Sequence, residues 1–169
     1  KGKMPALLMR DAAGSHYICS LDSGTNDMKT YTYPVSGSDM DKIVSVAFCD
    51  NSDLMYYATD SRIYSVLITG GKAVVNALSW KPDSSDEKIT AIRQYTQGWY
   101  GTHQYDLSNY PFQLEYNRLQ LLITTYNEKT GEGKIYMRPF NVSTGRFTMK
   151  NNGTLTGFGE ITAIAPTFR

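Results

Sequence analysis

Three stretches of the chain repeat one another, and that self-similarity constrains the fold more than any other feature. His16-Tyr17-Ile18-Cys19, Ile63-Tyr64-Ser65-Val66 and Ile135-Tyr136-Met137-Arg138 each follow a turn-forming stretch, and a short apolar run precedes each turn: Ala6 to Met9, Leu54 to Ala58 and Leu119 to Ile123. Apolar run, turn and apolar run is the grammar of a β-hairpin. A further element recurs as Lys42-Ile43-Val44-Ser45-Val46, Lys88-Ile89-Thr90-Ala91-Ile92 and Glu160-Ile161-Thr162-Ala163-Ile164. From each repeat tyrosine to the first isoleucine of this element the distance is 26, 25 and 25 residues. Between the two lies a glycine turn, at Gly24, Gly71 and Gly145, which closes a second hairpin.

The β-branched residues and period-two alternation of the third element predict a strand. Ser84-x-x-Glu87 just before its second copy has the form of a helix capping box and points the other way. The strand reading is preferred because the same element stands at 43 and 161, and no long helix is expected anywhere. The fold class is therefore all-β, with three four-stranded units of about 45 residues each. The units run approximately over 4–42, 43–87 and 88–160, with an insertion over 96–118 and a closing strand over 161–165.

A four-stranded unit of this length is the size of a β-propeller blade, and a propeller closes with about four to eight blades. Three units are too few, so the chain is expected to be a fragment whose remaining blades belong to the same protein. It starts inside a unit and ends on an orphan copy of the first strand, which can complete a blade from the other end of a ring. The alternative is a β-trefoil, which closes with three units; Gln97-Gly98-Trp99 is similar to the Q-x-W of ricin-type trefoil lectins.

Charge narrows the partners. Lys and Arg number 17 against 16 Asp and Glu, a net charge of +1, which gives no steering toward nucleic acid or anionic lipid. No run approaches the roughly 18 apolar residues of a membrane helix, so no transmembrane segment is predicted in this chain. Cys19 and Cys49 lack metal-site spacing and are read as small buried hydrophobes. Phosphate-loop, dinucleotide, zincin and nucleophile-elbow motifs are missing, so no catalytic residue, cofactor or metal is assigned. His16 falls where the other units carry Ile63 and Ile135, which predicts a strand histidine. The carboxylates Asp39, Asp41, Asp50, Asp53, Asp83, Asp86 and Glu87 fall in turns, where such side chains hydrogen-bond to backbone.

The insertion is the unusual segment. It holds Trp99, Tyr100, Tyr105, Tyr110, Phe112 and Tyr116, six aromatics in 23 residues against 15 in the other 146. Planar rings with polar edges suit stacking on sugar faces, and loops on a rigid scaffold often carry binding. The candidate ligand-binding residues are Trp99, Tyr100, His103, Tyr105, Asp106 and Tyr110. An insertion that folds its rings onto the neighbouring unit is the alternative.

The stretch from Leu119 to Ala165, with Leu121-Leu122-Ile123-Thr124-Thr125-Tyr126, Gly131-x-Gly133-Lys134-Ile135-Tyr136, Ser143-Thr144-Gly145-Arg146 and Gly157-Phe158-Gly159-Glu160-Ile161, resembles the C-terminal propeller of the PKD-like family lipoproteins of Bacteroidetes. That resemblance implies a cell-envelope location, periplasmic or on the outer-membrane surface, and a non-catalytic binding module with a glycan or envelope protein as partner. It carries no residue roles, since the family has no settled activity. A carbohydrate-active propeller, its site completed by further blades, is the enzymatic alternative.

Overall fold

The computed structural model describes residues 4–22, 29–49, 53–76, 80–96, 119–141, 143–147 and 153–165. Their architecture is all-β, three antiparallel sheets in chain order. The first sheet holds β1 (Met4–Arg10), β2 (His16–Asp22) and β3 (Lys29–Val35). The second holds β4 (Ser45–Phe48), β5 (Leu54–Ala58), β6 (Ile63–Thr69) and β7 (Lys72–Val75). The third holds β8 (Glu87–Thr96), β9 (Leu119–Asn127), β10 (Glu132–Pro139) and β11 (Thr154–Phe158). Every ladder joins consecutive strands of one sheet, so each sheet is a meander.

Two expectations change. Glu87, assigned by sequence to the second unit, opens β8 of the third; Ser84 makes a turn there, its hydroxyl accepting from Asp86 N at 3.2 Å, and the Ser84-x-x-Glu87 pattern caps no helix. Among the described residues the only helical piece is one 3-10 turn, Met40–Lys42. Residues 161–165 form no strand. A strand needs a ladder partner, and this segment instead meets the face of the third sheet, where the Thr90 hydroxyl donates to Ile161 O at 2.7 Å.

The second sheet lies between the other two, which explains why β5 shows no polar alternation. All five of its residues are buried. Leu54, Tyr56 and Ala58 join a core with Ile89, Ile92, Leu121, Ile123 and Tyr136 of the third sheet. Met55 and Tyr57 point the other way, into a core with Ile18, Tyr33 and Val35 of the first. A strand covered on both faces must be apolar at every position.

Consecutive tyrosines also fasten the stack by hydrogen bonds in both directions. Tyr56 donates to Gly145 O at 3.0 Å and sits edge-on to Phe140 and stacked on Phe147. Tyr57 donates to Ser38 O at 3.0 Å and stacks on Tyr64 at 4.9 Å. Burial, first of all, pushes both hydroxyls well above the ordinary tyrosine value of 10.0. A phenol kept neutral in the fold but free to ionise when unfolded contributes stability that is complete below the unfolded value and lost as pH rises above it. The urea midpoint is therefore expected to fall from about pH 10 upward. Tyr56→Phe should flatten that decline; an equally steep one would show that these tyrosines do not cause it.

The first strands of the second and third sheets lie side by side. Ile92 N donates to Ser45 Oγ at 3.0 Å, and the Ser45 hydroxyl returns a bond to Ile92 O, tying β8 to β4. Between Ile89 and Ala91 the β8–β9 register shifts, leaving Thr90 as the extra residue of a bulge. Its hydroxyl is shared with Thr124 at 2.8 Å as well as Ile161 O.

Candidate functional site

All six candidate binding residues, Trp99, Tyr100, His103, Tyr105, Asp106 and Tyr110, lie outside the described residues, as does Gln97-Gly98-Trp99. The strands on either side establish where that segment departs. Thr96 pairs with Leu119, so it leaves from the last rung of the β8–β9 ladder, while Glu87 and Asn127 form the rung at the far end. At that far end Ile89 N donates to Asp60 O and Lys88 reaches Asp60 at 3.5 Å, bringing the β5–β6 turn beside the start of β8. The insertion therefore departs from the end of the third sheet opposite the one beside the β5–β6 turn, the turn end.

Lysines accompany the carboxylates at the turn end: Asp39 with Lys42 at 3.0 Å, Asp60 with Lys88, Asp86 with Lys129 at 2.9 Å and Glu132 with Lys134 at 3.9 Å. The Lys42 hydrogen bond, then its charge, holds Asp39 below the ordinary carboxylate value. Asp11 builds its own turn, accepting from Ser15 N at 2.8 Å and from the Tyr17 hydroxyl at 3.2 Å. Of these side chains Asp11 bonds its own turn's backbone, while Asp39, Asp60, Asp86 and Glu132 are engaged by lysines.

Glu87 has a different environment. It is 5% exposed, and its Oε1 accepts from both the Thr125 and the Tyr136 hydroxyls while Oε2 faces Lys134 Nζ at 3.5 Å. Trp80 tilts against the Tyr136 ring at 5.1 Å, and the Arg138 guanidinium lies 4.8 Å over it. Burial, with Glu87 next, pushes the Tyr136 hydroxyl up; burial pulls Arg138 below its ordinary value. The Arg138 guanidinium also donates to Gly153 O at 3.2 Å. One carboxylate therefore ties β8 to β9 and β10 in a closed network that holds the three strands in register. By sequence Glu87 falls among the turn residues, with Ser84 and Asp86 just before it. Extending the alternation of Ile89 back by two positions places Glu87 on the core face, the signal that identifies it.

His16 opens β2, half-buried as a strand histidine. With Gly14, Tyr17, Pro34, Gly37 and Met40 it lines an open cleft of about 350 Å³ at the turn end. Cys19 and Cys49 are buried and are not joined in a disulfide. Among the described residues no three His, Cys, Asp or Glu side chains converge on a metal position, and no helix is long and apolar enough to cross a membrane. No family model matches the chain, and no curated protein or solved structure matches it.

Proposed function

We propose that the chain is three consecutive blades of a β-propeller acting as a non-catalytic binding module, with its ligand surface at the end where the 96–118 insertion departs. One observation carries this reading: each sheet is a meander, the second packs between the other two, and the first strands β4 and β8 of the second and third are adjacent. That is the arrangement of neighbouring blades. A trefoil closes by pairing strands from different units, and every described ladder joins strands that are consecutive in the chain and of one unit, which favours the propeller.

Binding is preferred to catalysis because Asp39, Asp60, Asp86 and Glu132 are lysine-paired and Glu87 is enclosed. A glycan suits the ring-rich insertion, and a cell-envelope setting follows from the resemblance to the lipoprotein family. A panel of soluble polysaccharides should contain a ligand for the chain. Trp99→Ala with Tyr100→Ala is expected to weaken that binding by at least about tenfold, with an unchanged far-ultraviolet spectrum. Unchanged affinity would overturn the insertion as the binding surface. Release of new reducing ends by the chain would instead favour the carbohydrate-active enzyme.

A further inference from the structure

Two equivalent rungs differ in what they place between the sheets. The residue just before the repeat tyrosine faces Val35 in the first unit, as His16↔Val35, and Trp80 in the second, as Ile63↔Trp80. Directly opposed residues of an antiparallel pair share a face of the sheet. Trp80 accordingly packs with Ile63 against the core between the second and third sheets, its ring 5.1 Å from that of Tyr136. Val35 holds the same place between the first and second sheets, and its side chain is far smaller than an indole. The cleft of about 350 Å³ opens at this rung, lined by His16, Pro34, Val35, Gly37 and Met40 among others. One junction is filled by a ring, and its counterpart is open.

The wall of the opening is held in place. Gly37 lies so close to the second sheet that a Cβ there would stand 2.6 Å from the Tyr57 hydroxyl and 3.1 Å from Val75. Ser38 O accepts from that same hydroxyl, and Lys42 N donates to Asp39 O just beyond. The loop is pinned, so the cleft is formed before anything enters it. His16 is the second departure from the repeat. Ile63 is fully buried, whereas His16 is half-buried, and its ring nitrogens have no hydrogen-bond or ion-pair partner among the described residues. An imidazole in place of an aliphatic chain brings hydrogen-bonding capacity to the opening. Met40 adds a thioether, which makes favourable contacts with aromatic rings.

We infer that this cleft binds a small aromatic molecule, its ring standing between the first and second sheets as the Trp80 indole stands between the second and third. His16 is the hydrogen-bond partner for the polar edge of that ring. The volume lies at the lower end of small-molecule sites, which suits one ring or two fused rings. The site belongs to the turn end of the first sheet and is independent of the insertion proposed for glycan binding.

The probe is indole, titrated into the 169-residue chain labelled at its methionine methyl groups. The Met40 methyl signal, identified by its loss in Met40→Leu, is expected to shift and to saturate with a dissociation constant of about 1 mM or below. Val35→Trp supplies the ring from the chain itself and should weaken binding at least about tenfold. His16→Ile, which restores the residue type of the second unit, should weaken it about fivefold, the worth of one hydrogen bond. His16→Gln keeps a donor and an acceptor and should retain most of the affinity. A Met40 signal that stays in place throughout the titration, or Val35→Trp binding as tightly as the parent, overturns the inference. Were Val35→Trp not to fold, the His16 variants decide, since equal affinity of His16→Ile and the parent would remove the assigned contact.

Discussion

Gly145→Ala is expected to lower unfolding stability by about 3–5 kcal/mol, combining a left-handed backbone, overpacking and a misplaced hydrogen-bond acceptor. Gly145 has φ +67°, a conformation that disfavours side chains. A Cβ there would stand 2.7 Å from Ser65 Cβ and 3.0 Å from Leu54 Cδ1. Both neighbours are buried in the second sheet and cannot withdraw without moving their strands. Any retreat of the loop instead carries off the carbonyl that accepts the buried Tyr56 hydroxyl. Gly71 provides the control: its φ is +75°, yet a Cβ there meets nothing within 4 Å. Gly71→Ala should cost only about 1–2 kcal/mol, the backbone contribution by itself. Urea titrations of the two variants measure the difference, and equal midpoints would remove the steric account.

Glu87→Ala carries the second large effect, about 3–5 kcal/mol, because removing one partner of a buried charged pair leaves the others uncompensated. The Thr125 and Tyr136 hydroxyls lose their common acceptor, and Lys134, 27% exposed at its side chain, loses a counter-charge. Glu87→Gln keeps an oxygen for the hydroxyls and should cost about 1–2 kcal/mol, near the worth of a charge-assisted hydrogen bond. Tyr136→Phe removes one donor and should fall in the same range. A Glu87→Ala variant within about 1 kcal/mol of the parent would mean that the network contributes little to stability. In that event the carboxylate is better sought as a working group than as a tie between strands.

Both effects lie where local pattern and tertiary arrangement part company. Gly145 was readable as a turn residue from its place after the repeat tyrosine. Its contact with Leu54 and Ser65 was not, since those residues lie about a half-chain away and on another sheet. Glu87 looked like a helix cap or turn acid because Ser84 and Asp86 precede it, and hydrogen-bonding side chains read the same in either setting until the strand's facing is known. The expected hairpin turn at Gly131 is present, with Gly131 N donating to Asn127 O at 2.8 Å, because a turn is decided by the few residues within it.

The hairpins β1–β2, β5–β6 and β9–β10 and the all-β class were legible in the sequence alone, through short apolar runs flanking a turn and the recurrence of Tyr17, Tyr64 and Tyr136. Side-chain alternation and turn chemistry act over a handful of residues, so they are legible without neighbours. Tertiary structure decided three further matters: that β5 is covered on both faces, that Glu87 is enclosed beneath Tyr136, and that residues 161–165 lie on the third sheet without forming a strand. Each of these depends on which distant surface arrives. A strand exists only where a second backbone supplies hydrogen bonds, and a carboxylate is enclosed only where another element shuts out water.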